Sequence, residues 1–296
     1  PLRSDDGAFL ASLIADELVA DRTDRPTAGG TPLRGTHAGK CLRAVQYDTL
    51  GVAATEPPGP SSLWTFLMGN AAHEAAQRAL ERRFPAAHLE AEVVSDDALF
   101  SCHIDALVPM TTHDACAAWP DALAGGDWQG QATRPVTVAW EIKSTQQFAY
   151  EQIVGTARKA GEGPRLGDFL QGALNATAAK ADLLVLSYLT LGVTQSGDVS
   201  AAAQIGRDYV YTPDQFEPPA QAELERLSVV LGEGLAPRSA PIMPAGAVIT
   251  DPTRSFWTVE SSGPGPAAIL DSGQVWGGKY CTQYCSFYSR CVADGA

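Results

Sequence analysis

Val138-Ala139-Trp140-Glu141-Ile142-Lys143-Ser144 decides the fold. β-Branched and aromatic residues alternate with others over seven positions, the pattern of a β-strand. Side chains on a strand alternate faces, so Val138, Trp140 and Ile142 share one face and Ala139, Glu141 and Lys143 the other. Glu141 and Lys143 then point the same way, roughly 6–7 Å apart along the strand. Taken alone, this reads first as a half-exposed strand carrying a solvated ion pair. Three other stretches decide between the two readings.

The strand stretch Phe100-Ser101-Cys102-His103-Ile104-Asp105-Ala106-Leu107-Val108 places Ser101, His103, Asp105 and Leu107 on one face, with Phe100, Cys102, Ile104 and Ala106 packed behind. An acid in an apolar strand is costly unless it is paired or bound to a metal. Gly69-Asn70-Ala71-Ala72-His73-Glu74-Ala75-Ala76 sets His73 mid-helix among small residues, which allow another element to approach closely. Glu74, one residue on, points elsewhere. In Asp168-Phe169-Leu170-Gln171-Gly172-Ala173-Leu174-Asn175, Gln171 and Asn175 stand at i, i+4 and share a helical face.

Around these stretches the order is mixed. Ser4 caps a helix to about Ala20, with Phe9, Leu10, Leu13, Ile14 and Leu18 as its apolar stripe. A Thr/Gly/Pro-rich loop covers 21–39, and Cys41–Tyr47 opens a short helix. A long helix runs from Ser61 or Ser62 to Phe84, with Leu63, Phe66, Leu67, Leu80 and Phe84 facing a core. Strands are expected near His88–Val94 and Ala98–Val108, then an irregular insertion over 109–135. Helices follow the Glu141 strand near Gln147–Arg158 and Arg165–Ala179. Strands at Leu183–Leu191 and Ile205–Thr212 and a helix from Pro213 to Leu231 complete the pattern. The expectation is an α/β sandwich with a small mixed central sheet flanked by helices.

The chain has 296 residues, 45% of them hydrophobic, enough for one large domain with an appendage. No apolar run has membrane-spanning length and residues 1–6 lack a signal-peptide pattern, so a soluble, cytoplasmic protein without membrane partners is expected. The formal charge of −13 argues against a nucleic-acid binder with a general basic footprint, though not against a local basic track. Six cysteines occur, at 41, 102, 116, 281, 285 and 291. In a cytosolic chain disulfides are a poor explanation, and three cysteines within eleven C-terminal residues is metal-ligand density. Four thiolates can hold zinc or an iron–sulfur cluster.

In order, Gly69-x-x-x-His73, Asp105, Glu141-x-Lys143 and Gln171 resemble the RecB-type branch of the PD-(D/E)XK nucleases. Cys102 stands where the second motif usually has Gly, and Asn175 where the fourth usually has Tyr. The resemblance runs from about residue 60 to 190. Cys281-x-x-x-Cys285-x5-Cys291 with a distant Cys41 resembles the iron–sulfur branch of that family, which includes AddB-type nucleases and the CRISPR-associated exonucleases of the fourth Cas family. The spacing has three residues, not two, after Cys281.

The resemblance implies a PD-(D/E)XK core over 61–231. An N-terminal helical segment, 1–60, contributes Cys41, and a linker and iron–sulfur segment covers 232–296. It implies a [4Fe-4S] cluster on Cys41, Cys281, Cys285 and Cys291, and Mn²⁺ or Mg²⁺ on His73, Asp105, Glu141 and the Ile142 carbonyl. Lys143 and Gln171 would complete the catalytic set, with Lys143 orienting water or stabilising negative charge. The implied activity is metal-dependent exonuclease action on single-stranded DNA from a free end, with recombination or CRISPR-adaptation proteins as partners. Lys40, Arg43, Arg78, Arg82, Arg158, Lys159, Arg165 and Asn175 are candidates for the DNA track. Two other classes remain open: a non-catalytic DNA-end adaptor on the same fold, and a zinc-binding structural protein.

Overall fold

The computed structural model describes residues 14, 16–20, 33–95, 99–125, 128, 134–156, 159–192, 205–236, 242–244, 268–269, 274–276 and 285–294. It divides into two compact units, one made of 1–31, 40–63 and 229–296, the other of 32–39 and 64–228. The 1–60 stretch read as one N-terminal piece is therefore divided, because Leu33 and Arg34 pair as a strand with the second unit's sheet. Of the expected N-terminal helix, Ile14 and residues 16–20 are described and helical; Ser4, Phe9, Leu10 and Leu13 lie outside the described residues.

The second unit is built on a six-stranded mixed sheet. Its strands are β1 (Leu33–Arg34), β2 (His88–Val94), β3 (Phe100–Thr111), β4 (Pro135–Thr145), then Leu183–Thr190 and Gly206–Tyr211. The last two become β7 and β8, because a small two-stranded ribbon, β5 (Gly155–Thr156) and β6 (Lys159–Ala160), comes before them in the chain. The order is β1-β3-β4-β7-β8, with β2 also on β3. β3–β4 and β7–β8 are antiparallel, while β4–β7 is parallel.

β4 is thus central, and both its faces are covered. Val136, Val138, Ala139, Glu141, Ile142 and Thr145 are buried, the pattern of a strand with a parallel neighbour rather than a half-exposed one. On one face Ala106, Val108, Met110, Val136, Val138, Leu183 and Val185 form a core with Ala115 and Leu123. On the other, Leu186 and Tyr188 pack with Tyr150 and Ile153.

Helices supply the layers. α1 (Leu42–Thr49) lies in the first unit. α2 (Pro60–Arg83) carries His73, α3 (Thr112–Ala118) follows β3, and α4 (Gln147–Val154) follows β4. α5 (Leu166–Ala178) packs on β3, β4 and β7, and α6 (Pro213–Ser228) packs on α5. No helix among the described residues is long and apolar enough to cross a membrane.

Three expectations are corrected here. The 109–135 segment begins as structure: β3 runs to Thr111, whose hydroxyl accepts from the Asp114 N–H and caps α3. Phe66 and Leu67 are exposed rather than core-facing, although Leu63 is buried and Leu80 and Phe84 pack against the core. The helix expected over Gln147–Arg158 stops at Val154, where Gly155 at φ 87° turns the chain into β5.

In the first unit, side-chain hydrogen bonds run through a buried apolar set that includes Leu42, Val45, Tyr47 and Val230. Gln46 of α1 is buried; its Nε2 donates to Gly234 O at 2.8 Å and its Oε1 accepts from Ala236 N at 2.8 Å. Arg43 Nε donates to Ala236 O at 2.8 Å. These bonds fix 234–236 against α1 across more than 180 residues of sequence. A Gln46→Leu variant keeps volume but strands a buried N–H and carbonyl, so urea unfolding should show a loss of about 2–5 kcal/mol. An unchanged unfolding midpoint would contradict this assignment.

Candidate active site

The β3–β4 ladder runs from Thr111↔Pro135 to Ala106↔Trp140 and stops there. Beyond it β4 stays paired to β7 as far as Thr145, so β3 is the strand that parts from β4. The opening falls between Asp105 and Glu141. A buried main-chain N–H must still find a partner. Asp105 supplies it: Oδ2 accepts from Ile142 N at 2.6 Å. The acid that looked costly in an apolar strand is thus a carboxylate cap on the parting ladder.

Glu141 is buried at 3% exposure and its carboxylate is enclosed by donors. Lys143 Nζ donates to Oε1 at 2.6 Å, and Gln171 Nε2 to the same oxygen at 2.7 Å. Asn175 Nδ2 donates to Oε2 at 2.9 Å. Lys143 also donates to Gln171 Oε1 at 2.9 Å, closing a three-membered ring of hydrogen bonds. Gln171 and Asn175 reach Glu141 because they are one turn apart on the face of α5 that lies on β4.

Burial pushes the Glu141 carboxyl above its ordinary range, and the Asp105 charge adds to this; Lys143 pulls it back. Burial lowers the Lys143 ammonium, but the charge and hydrogen bond of Glu141 outweigh that and hold it above its ordinary value. Lys143 is therefore a cation, unsuited to act as a base. Two of its three N–H donors are spent on Glu141 and Gln171, which leaves one for a ligand.

α2 brings the remaining group. Gly69, His73 and Gln77 are four apart and share a face. A Cβ at Gly69 would lie 2.9 Å from Ser144 Oγ, so glycine lets the helix close on the end of β4. His73 Nδ1 lies 3.7 Å from Asp105 Oδ1. The Asp105 carboxylate at that distance raises the His73 pKa against the opposing effect of burial. Gln77 Nε2 donates to Asp105 O at 3.3 Å. Gln77 was not singled out from the sequence, although its i, i+4 spacing from His73 was there to find it.

His73, Asp105, Glu141, Lys143 and Gln171 are thus brought together, with Ile142 contributing its N–H to Asp105. As the side chains stand, no three His, Cys, Asp or Glu among the described residues converge tightly enough to hold an ion. The carboxylates instead turn to Ile142, Lys143 and the two amides.

The basic track is less coherent. Arg43 is buried and bonded to Ala236 O, so it is no surface contact. Asn175, at 1% exposure and turned onto Glu141, is not one either. Lys40, Arg78, Arg82 and Arg165 are exposed, with Arg78 3.8 Å from Glu74. Arg158 and the Lys159 side chain lie outside the described residues.

In the first unit, Cys41, Cys285 and Cys291 carry no disulfide. Burial raises the Cys285 thiol, and Cys41 and Cys291 are close enough to raise it further by their charge. Cys281 lies outside the described residues. Cys102 packs behind β3, where burial pushes its thiol up to about 12, and Cys116 packs against the sheet core.

No family model matches the chain, and no curated protein matches it. Among solved structures, one titled "Crystal structure of SSO0001" is similar at 13% identity over 76% of this chain and 88% of that chain, with a TM-score of 0.41.

The raised His73 pKa has a measurable consequence in metal-free protein. Stabilisation by the His73–Asp105 pair is complete below the ordinary value of 6.5 and is lost as pH rises through the raised value. In EDTA, the melting-temperature gap between wild type and His73→Leu should shrink from pH 6 to pH 9. A gap independent of pH would contradict the pairing.

Proposed function

We propose that this chain is a metal-dependent DNA exonuclease of the RecB-type PD-(D/E)XK class, acting on single-stranded DNA from a free end and carrying a structural [4Fe-4S] cluster. The observation that carries the reading is the convergence of His73, Asp105, Glu141, Lys143 and Gln171, from two helices and two strands, around the parting of β3 from β4.

In kind, two carboxylates and one imidazole with carboxylate lone-pair capacity unspent suit a divalent ion, which would draw them closer together than they stand. Glu141 accepts three hydrogen bonds of roughly four it can take. Asp105, Glu141 and His73 would hold Mn²⁺ or Mg²⁺, the imidazole favouring Mn²⁺, and the bound ion supplies Lewis acidity toward a phosphodiester. The chain's own contribution is positional and electrostatic. Lys143, fixed as a cation by Glu141, directs its remaining N–H to the attacking water or to a phosphoryl oxygen, where negative charge grows. Gln171 keeps Lys143 and Glu141 in register by bonding both. Exposed Arg78, Arg82 and Arg165 offer backbone contacts.

Cys41, Cys281, Cys285 and Cys291 would hold the cluster, which supplies a covalent tie between segments 240 residues apart. The electrostatic proximity of Cys41, Cys285 and Cys291 supports this. Anaerobically purified protein should be brown and hold about four irons. Cys41→Ser should give insoluble or protease-sensitive protein. Colourless protein with stoichiometric zinc would replace the cluster by a zinc site.

The activity is tested with matched linear and circular single-stranded DNA and Mn²⁺. Linear DNA should be degraded to short products and the circle should survive. Lys143→Ala should lose about 10²–10³-fold in rate, as for removal of a charge-stabilising donor. Asp105→Ala and Glu141→Ala should be inactive. DNA-end binding without cleavage would instead favour the adaptor reading, and cutting of the circle at an equal rate would remove the end requirement.

A further inference from the structure

Asn175 poses a question that packing does not answer. It is buried on α5, as are its chain neighbours Gly172, Ala173, Leu174 and Ala176. Its amide is oriented by its donor end: Nδ2 faces Glu141 Oε2 at 2.9 Å and His103 O at 3.5 Å. Flipping the amide would set oxygen against oxygen at both contacts. The observed orientation leaves Oδ1 buried with no hydrogen-bond partner. The side chain keeps an orphaned acceptor in order to present its donor to the buried Glu141 carboxylate.

The orphaned oxygen lies over Gly35. A Cβ built on Gly35 would stand 2.2 Å from Asn175 Oδ1 and 3.2 Å from its Cγ. The first distance is shorter than any real Cβ contact and the second is tight, so a larger residue at 35 displaces the amide oxygen from its place. Gly35 carries no left-handed backbone requirement; its constraint is this contact. Gly35 follows β1 directly, in the short 3₁₀ turn Gly35–His37, which the sheet pairing of Leu33 and Arg34 holds in place.

We propose that Asn175 is a positioning residue for Glu141. It fixes Oε2 so that the free lone pair of that oxygen is offered to a divalent cation, and Gly35 is glycine to leave the amide room. This inference rests on the nuclease reading of the site. Lys143 and Gln171 both hold Oε1, so Oε2 has Asn175 as its one side-chain donor among the described residues. Without that donor the carboxylate can pivot about Oε1, and the oxygen that faces the ion loses its fixed direction.

The test is Mn²⁺ binding to the full chain with its cluster, measured by electron paramagnetic resonance of free Mn²⁺. Wild type is compared with Asn175→Ala, Asn175→Leu, Gly35→Ala and the Gly35→Ala/Asn175→Ala double variant, with melting curves recorded alongside. Loss of an outer hydrogen bond to a metal ligand weakens affinity about 10–100-fold. That loss is expected for Asn175→Ala and for Asn175→Leu, which keeps the branching and the number of side-chain heavy atoms. Gly35→Ala should reproduce it, although position 35 touches neither Glu141 nor the ion. The double variant should bind no worse than Asn175→Ala alone, because the added Cβ then has nothing to displace. Full affinity in both Asn175 variants overturns the proposal, as do additive losses in the double variant. If wild type binds no Mn²⁺, the nuclease reading falls and takes this one with it. Wild-type binding with unaffected variants removes only this one.

Discussion

A buried carboxylate on the middle strand of a sheet constrains everything around it. Glu141 sits at 3% exposure, where an isolated charge would be untenable. It persists because Lys143 lies two residues along the same face and because α5 delivers two amides one turn apart. The strand, the helix and the spacing within each are one solution. Moving Gln171 or Asn175 by a single residue would rotate it about 100° away from β4. Replacing one member of such a pair leaves the other charged and unpaired, which costs more than the pair contributes.

The second constraint is the parting of β3 from β4. A sheet that stayed paired to the end would bring the two backbones together and leave no opening between Asp105 and Glu141. The ladder instead ends at Ala106↔Trp140, and the Ile142 N–H is returned to a partner by the Asp105 carboxylate. Two glycines then let other elements come close. Gly69 admits Ser144 against α2, and Gly35 admits the Asn175 amide. Both glycines act through the absence of a Cβ.

Much of this was legible in the sequence where a period was strong. Alternation identified β3 and β4 and the burial of Phe100, Cys102, Ile104 and Ala106. The i, i+4 spacing identified the Gln171/Asn175 face. What failed failed for physical reasons. Phe66 and Leu67 fit a helical stripe, but hydrophobic identity alone does not say which face finds a neighbour. Arg43 read as a surface charge because a cation's buried hydrogen bond to a carbonyl 193 residues away leaves no local trace. Residues 109–135 looked irregular because a seven-residue helix is too short to show a period. Asn175 read as a substrate contact because sequence gives the face of a helix but not the depth at which that face sits.

The acidic balance of the chain, a formal −13, bears directly on the proposed chemistry. Asp105 and Glu141 meet in the opening, and Asp168 lies near enough to add to the field at Lys143. Against three carboxylates stand Lys143 and, when protonated, His73. A phosphodiester approaching this set meets net negative charge at short range in a site that salt screens poorly, which is repulsive. Lys143 cannot correct the balance alone, since its charge is already engaged by Glu141. A divalent cation among the carboxylates would reverse the sign of the local field, and then the same acidic surroundings become the reason the cation is retained. On this reading, metal binding precedes DNA binding, and the acidity of the chain leaves nucleic acid little to hold besides that cation and the exposed Arg78, Arg82 and Arg165.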